Sequence, residues 1–165
     1  MLFVEIYTAI WNAKLSIVSK QFTLGKNERL KSRKQIEHLF NDGQRFNFSF
    51  FRIFYSISGN SDANKPPLQA GFAAGSRNFK TAVDRNRIKR LVREAWRLQK
   101  NDLKEELSKQ KRKMNVFLIY TGKELPVYSE VSSTVKKIIE KIHAISTKEH
   151  WRRYSKYWAC PSFYW

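Results

Sequence analysis

The segment from Asp84 to Lys100 constrains the fold more than any other part of the chain. At about 100° per residue, Ile88, Leu91, Val92, Ala95 and Leu98 fall in one arc. Asn86, Lys89, Arg90, Arg93, Arg97 and Lys100 fall in the opposite arc. That division predicts an amphipathic helix with one face on a core and the other turned outward. Between Ser76 and Lys100 there are nine Arg or Lys (77, 80, 85, 87, 89, 90, 93, 97 and 100) against two acids, Asp84 and Glu94. A helix that only has to be soluble alternates charge signs and gains a few tenths of a kcal/mol per i,i+4 pair. Here Lys89, Arg93 and Arg97 are like-charged at that spacing, which costs stability unless an anion sits on them. Five of the nine are arginines between 85 and 97, and a guanidinium suits bidentate grip on phosphate.

The rest of the chain agrees. Its 32 Lys+Arg against 14 Asp+Glu give +18 over 165 residues, where solubility alone needs a net charge of only ~2–8. Such an excess self-repels and favours a polyanion, either nucleic acid or an anionic membrane surface. With 42% apolar and 15% aromatic residues the chain can still bury a core. Its length fits one domain with extensions. A single cysteine, Cys160, excludes a disulfide framework and a cysteine-built zinc site. The stretch from Met1 to Val18 carries Glu5, Asn12 and Lys14. It therefore matches neither a spanning helix of about 20 apolar residues nor a signal peptide, and a cytoplasmic location is expected.

Along the chain, residues 1–22 read as an appendage. Leu2, Ile6, Ala9, Ile10, Ala13 and Ile17 recur at helical spacing, so the segment is either an added helix or sequence ahead of the true start. Ser32-Arg33-Lys34-Gln35 has the spacing of a capping box. Ile36, Leu39 and Phe40 then form one apolar stripe, with Gly43 placed to end the helix. Phe46 to Ser58 reads as a strand entered through a short hairpin, with Phe51, Ile53, Tyr55 and Ile57 on one face and Phe50, Arg52 and Phe54 on the other. Gly59 to Pro67 is a loop. Leu68 to Gly75 is a strand whose small residues permit close backbone approach. Polar residues up to Lys113 read as a linker or frayed helical end. Asn115 to Thr121 is a nearly continuous apolar strand, as expected when both faces are covered. Ser129 to Ile145 is an amphipathic helix with Val131, Val135, Ile138, Ile139, Ile142 and Ile145 inward. This order predicts an α+β or α/β domain around one sheet. The tail from Trp151 to Trp165 has seven aromatics in fifteen residues.

Catalytic constellations are missing from the sequence. His38, His143 and His150 have no partner spacing, and His38 reads as a surface residue. There is no His-Glu-x-x-His, Gly-x-Ser-x-Gly, Walker or paired-cysteine signature. Asp42, Asp62, Asp84 and Asp102 do not cluster as two-metal chemistry requires. Arginine and lysine can steady a transition state but supply no nucleophile, so any reactive centre comes from elsewhere. Phe40, Tyr55 and the strand aromatics could stack on unpaired bases.

The run Arg85-Asn86-Arg87-Ile88-Lys89-Arg90-Leu91-Val92-Arg93-Glu94-Ala95-Trp96 resembles the signature helix of the bacterial ribonuclease P protein subunit. Ala70-Gly71-Phe72, Arg77-Asn78 and Ala82 upstream agree, as do Arg29-Leu30-Lys31 and Phe40-Asn41-Asp42-Gly43. The likeness covers roughly residues 22–145. It implies a single α+β domain over 23–146, with a mixed sheet packed by helices and the arginine-rich helix in a left-handed crossover, against the usual right-handed rule. Residues 1–22 and 147–165 are then an extension and a basic, aromatic tail.

The resemblance also implies an accessory subunit of an endoribonuclease whose catalytic centre is RNA. That RNA removes the 5′ leader of precursor tRNA with Mg²⁺ held mainly by RNA, and the protein has no catalytic or metal-binding side chain. The partners implied are the catalytic RNA and precursor tRNA. By match to the signature, Arg85, Asn86, Arg87, Lys89, Arg90 and Arg93 would contact RNA, as would Arg77 and Asn78 in the preceding loop, where Ser76 replaces a common lysine. Lys80 and Arg97 belong to the same cationic cluster. Phe40 matches an aromatic of the leader cleft, Ile36 stands where the family often has another, and Ile53 and Tyr55 match the cleft strand loosely. On physics alone, a non-enzymatic RNA-binding protein such as a ribosomal component fits the cationic helix equally well. A DNA-binding regulator lacks its helix-turn-helix pair.

Overall fold

The computed structural model describes residues 22–59 and 66–158, with side chains to residue 148. The expectations for residues 1–21, for most of the 59–67 loop and for the tail aromatics lie outside the described residues. Within them, the order is α1 (Arg33–Asn41), β1 (Gln44–Phe48), β2 (Phe51–Ser58), β3 (Leu68–Ala74), α2 (Ala82–Gln99), α3 (Asn101–Lys109), β4 (Lys113–Tyr120) and α4 (Tyr128–Trp158). The four strands form one mixed sheet in the order β1-β2-β4-β3. β1 and β2 are an antiparallel hairpin, β2 pairs antiparallel with β4, and β3 runs parallel to β4. The β3–β4 connection is therefore a crossover made by α2 and α3. This is the α+β architecture that the resemblance implies.

Strand alternation decides what each face carries. Phe51, Ile53 and Tyr55 of β2 and Met114, Val116, Leu118 and Tyr120 of β4 are buried. They share one face and pack with Ile88, Val92, Ala95 and Trp96 of α2 and Val131, Val135, Ile138 and Ile142 of α4. Each full burial contributes about 1.5–3 kcal/mol. Rotating α2 to present a cation in place of Ile88 or Trp96 would forfeit that, so the core fixes which side chains α2 turns outward. The opposite face of the sheet carries Arg52, Phe54, Asn115 and Phe117, and α1 crosses it.

Several local expectations change. The short hairpin expected at the entry to the Phe46–Ser58 strand is present, but it takes Phe46–Phe48 into a strand of its own, β1, which starts at Gln44, and its two-residue turn sets Ser49 at φ 49°. Ser32 occupies the N-cap of α1 with extended geometry, but its side chain makes no capping hydrogen bond. Gly43 closes α1 through close approach, because a Cβ there would stand 2.1 Å from the Leu39 carbonyl oxygen. The polar stretch before Lys113, read as a linker or a frayed helical end, is largely a helix of its own, α3. Leu103 and Leu107, one turn apart, are fully buried under α3. The helix ends in a Schellman motif, with Lys111 at φ 51°, its amide donating to Ser108 and that of Arg112 to Leu107. β4 is buried only at alternate residues, with the intervening ones half-buried. α4 continues past residue 146 to Trp158.

On α2, two positions trade places with the helical-wheel expectation. Leu98, expected inward, is 41% exposed, and Lys100, expected on the cationic face, is 2% exposed. Trp96 joins the core instead, 6.1 Å from Phe72. The wheel centred on Leu91 was rotated toward it by this large indole, whose area outweighs that of Leu98.

Candidate nucleic-acid interface

The core that orients α2 leaves Arg87 and Arg90 exposed and Lys89 and Arg93 half-exposed. The preceding loop adds Arg77 and Lys80, both exposed. Among the described residues these six cations have no ion pair. Asn86 is exposed beside them. The result is a ridge of cations, four of them on α2 and two in the loop before it, on whose charge no acid among the described residues draws.

Other members of the predicted set do structural work. Asn78 donates from Nδ2 to the carbonyls of Thr121 (2.9 Å) and Gly122 (3.0 Å), tying the 75–81 loop to the end of β4. Arg85 donates from Nη1 to the carbonyls of Phe79 (2.8 Å) and Lys80 (2.7 Å). Thr81 caps α2, its Oγ1 accepting from the Asp84 amide at 3.3 Å and its hydroxyl donating to the Asp84 carboxylate. Phe79 is buried against Tyr120, 5.9 Å away. These contacts fix where Arg77 and Lys80 project. Asn78 and Arg85, expected to touch RNA, shape the loop that presents their neighbours.

At the far end of α2, charges close on one another. Arg97 makes a bidentate pair with Glu94 at 2.9 and 2.6 Å and also donates to the Phe22 carbonyl. The Arg97 hydrogen bond holds the Glu94 carboxyl below its usual range, and Glu94 raises the guanidinium in turn. Lys100 donates to the Thr23 carbonyl at 2.8 Å and to Glu28, which Lys104 also meets at 2.6 Å. Burial pushes the Glu28 carboxyl up, but hydrogen bonds from the two ammonium groups outweigh it and hold the carboxyl below its ordinary value. These contacts clamp the segment before α1, whose Glu28–Leu30 stretch also exchanges backbone hydrogen bonds with Ala70 of β3. Arg97 is thus largely withdrawn from the ridge.

On the other face, α1 and the sheet enclose a cleft. The Phe40 ring lies 4.8 Å from Phe54 and 5.2 Å from Phe117, and Phe40 remains 40% exposed. Gly71 makes this floor possible, since a Cβ there would sit 2.3 Å from the Phe117 ring. Ile36 is half-buried on the same helix and Arg52 is exposed on β2. The cleft continues as a space of about 660 Å³ whose lining includes Lys34, Gln35, His38, Ser56, Lys113 and Asn115. Asn115 Oδ1 is buried there with no hydrogen-bond partner. His38 stays at the surface as expected, 3.2 Å from the Asp42 carboxylate.

Ile53 and Tyr55 do not line this cleft. They are 0% and 6% exposed on the opposite face, and the Tyr55 hydroxyl is spent on Gln44. The alternation of β2 gives their place to Arg52 and Phe54, and the pairing of Phe54 with Phe117 extends the floor to β4. The signal was present in the parity of residues 50–57. Phe117 was out of reach, because its partner strand could not be registered from sequence. Among the described residues, no group of three or more His, Cys, Asp or Glu could hold a metal ion, and no helix is long and apolar enough to cross a membrane.

The family model described as Ribonuclease P matches residues 24–143. The chain belongs to the ribonuclease P protein family. The ribonuclease P protein component of Porphyromonas gingivalis is 32% identical over 121 residues, covering 73% of this chain and 87% of that one. The component of Chlorobaculum tepidum is 38% identical over 86 residues, covering 52% and 56%. The fold is similar to the Staphylococcus aureus RNase P protein, with a TM-score of 0.53 at 16% identity over 70% of this chain and 94% of that one. Members of the ribonuclease P protein family are RNA-binding accessory subunits of the endoribonuclease that processes tRNA leaders, and this chain has that role.

Proposed function

We propose a division of labour between the two faces. The ridge, made of Arg77, Lys80, Asn86, Arg87, Lys89, Arg90 and Arg93, grips phosphates of the catalytic RNA. The cleft, made of Ile36, Phe40, Phe54, Phe117 and Arg52, holds the single-stranded 5′ leader of precursor tRNA. Asn78, Arg85 and Arg97 position the ridge. The unit responsible is the domain over residues 23–146. The RNA supplies the catalytic centre and holds most of the Mg²⁺, and the protein raises substrate affinity and lowers the magnesium needed.

The observation that carries this reading is the sorting of cations on α2. Those near its ends are bound to carbonyls and acids, while those in between have no such partner among the described residues. Free like charges at i,i+4 cost stability by themselves, and an RNA backbone would turn that cost into affinity. The cleft fits its proposed ligand on other grounds. Leaders differ in sequence, and stacking on aromatic rings is worth ~1–3 kcal/mol per base with little sequence preference.

Reconstitution with the cognate ribonuclease P RNA tests the proposal. At low magnesium the protein should accelerate leader removal from precursor tRNA. Unchanged cleavage, despite a folded protein, would favour an RNA-binding role outside this reaction.

A further inference from the structure

The middle of the ridge is not uniformly charged. Val83, the second residue of α2, is 76% exposed on its outward side. Residues 83, 87 and 90 follow one another at i,i+4 and i,i+7, so they share a stripe about two turns long. Together with Asn86 and Leu91 they border a concavity of about 580 Å³. Its apolar part is the two aliphatic side chains, and its charged part is the Arg87 and Arg90 guanidinium groups, neither of which is ion-paired among the described residues.

A lone exposed valine is common on protein surfaces and needs no explanation. This one stands within a cationic ridge, between Lys80 and Arg87 in the chain, and valine is a weaker helix former than Lys or Arg. It also shares its concavity with Arg87 and Arg90, whose guanidinium groups can stack on nucleobases. Phosphate has no use for an apolar floor, whereas an unpaired base has an apolar π-face and needs one.

We infer that this concavity is a seat for one unpaired base of the catalytic RNA, with Val83 as floor and Arg87 and Arg90 as flanking plates. The inference rests on the proposed ridge. It adds a contact that does not depend on phosphate neutralisation and so should have its own salt signature.

The test is binding of the full chain to the cognate ribonuclease P RNA, without precursor tRNA, over a range of salt concentrations. Val83→Ser, at an exposed site, should leave the circular dichroism spectrum and thermal unfolding unchanged. Affinity should fall about tenfold, from the apolar burial lost with the valine side chain, with the slope of log affinity against log salt unaltered. Affinity equal to wild type would overturn the seat, and so would a flatter slope, which would mean that a phosphate contact was lost. Arg87→Gln with Arg90→Gln separates the two ideas. If that pair weakens binding and flattens the slope while Val83→Ser changes nothing, the ridge stands and the seat fails. If neither variant matters, the ridge itself is wrong.

Discussion

Replacing Arg90 and Arg93 together by glutamine removes two charges from the ridge with little structural consequence. Neither has an ion pair among the described residues, Arg90 is exposed and Arg93 half-exposed. Glutamine has nearly the helix propensity of arginine. Taking Arg93 out of the Lys89–Arg93–Arg97 series also relieves repulsion of a few tenths of a kcal/mol, so the variant should be at least as stable as wild type. Its effect on RNA binding follows from counterion release. If Arg77, Lys80, Arg87, Lys89, Arg90 and Arg93 each neutralise one phosphate, affinity should fall with salt at a log–log slope of about −5, at roughly 0.9 per contact. The variant should show about −3.6. Between 50 and 200 mM salt, wild-type affinity would then drop about 10³-fold and that of the variant about 10²-fold. A salt titration by filter binding or fluorescence anisotropy reads this directly. Arg97→Gln serves as the contrast, since that guanidinium is already paired with Glu94 and should alter the slope little. Equal slopes for wild type and the double variant would refute the assignment of this face, as would a larger slope change from Arg97→Gln.

Two other perturbations probe the cleft and the clamp. Phe40→Ala removes an exposed ring from the Phe54–Phe117 floor and should cost ~0.5–1.5 kcal/mol of stability. It should also weaken holoenzyme binding of precursor tRNA by about fivefold or more while sparing mature tRNA; equal losses for both would show that the ring packs the domain without touching the leader. Glu28→Gln leaves the Lys100 ammonium buried without its counter-charge, which should cost about 3 kcal/mol at pH 7, near the low end for broken buried pairs. Because the folded Glu28 carboxyl lies below its ordinary value, this stabilisation is full above that ordinary value and is lost as pH falls through the folded one. Urea denaturation from pH 7 to 3 should therefore show a steeper loss in wild type than in the variant, and parallel curves would contradict the sign.

How far the sequence reached depended on whether a feature was local. The periodicity from Asp84 to Lys100 located α2 and its two faces, because burial of Ile88, Val92 and Ala95 repeats at helical spacing. The wheel could not weigh Trp96 against Leu98, and so misplaced Lys100 by one step around the helix. α3 was legible only as a linker or frayed helical end because its burial rests on Leu103 and Leu107 alone, among seven polar residues. The alternation of β2 put Phe54 opposite Ile53 and Tyr55, yet which face meets α1 is a tertiary fact. Lys100 with Glu28 and Asn78 with Thr121 pair residues 72 and 43 positions apart. Nothing local announces such partners, so the committed and uncommitted cations could be told apart only in three dimensions. Gly71 shows the intermediate case, since its smallness was legible and the Phe117 ring that needs it was not.

The most direct measurement places a cleavage probe on each face and asks which RNA it cuts. In a Cys160→Ser background, Asn86→Cys and Gln35→Cys would each receive a tethered hydroxyl-radical source and be assembled with the catalytic RNA and precursor tRNA. The probe at residue 86 should cut the catalytic RNA at a confined site and spare the leader. The probe at residue 35 should cut the leader within a few nucleotides. Leader cuts from residue 86, or diffuse cuts from both positions, would contradict the two-faced account.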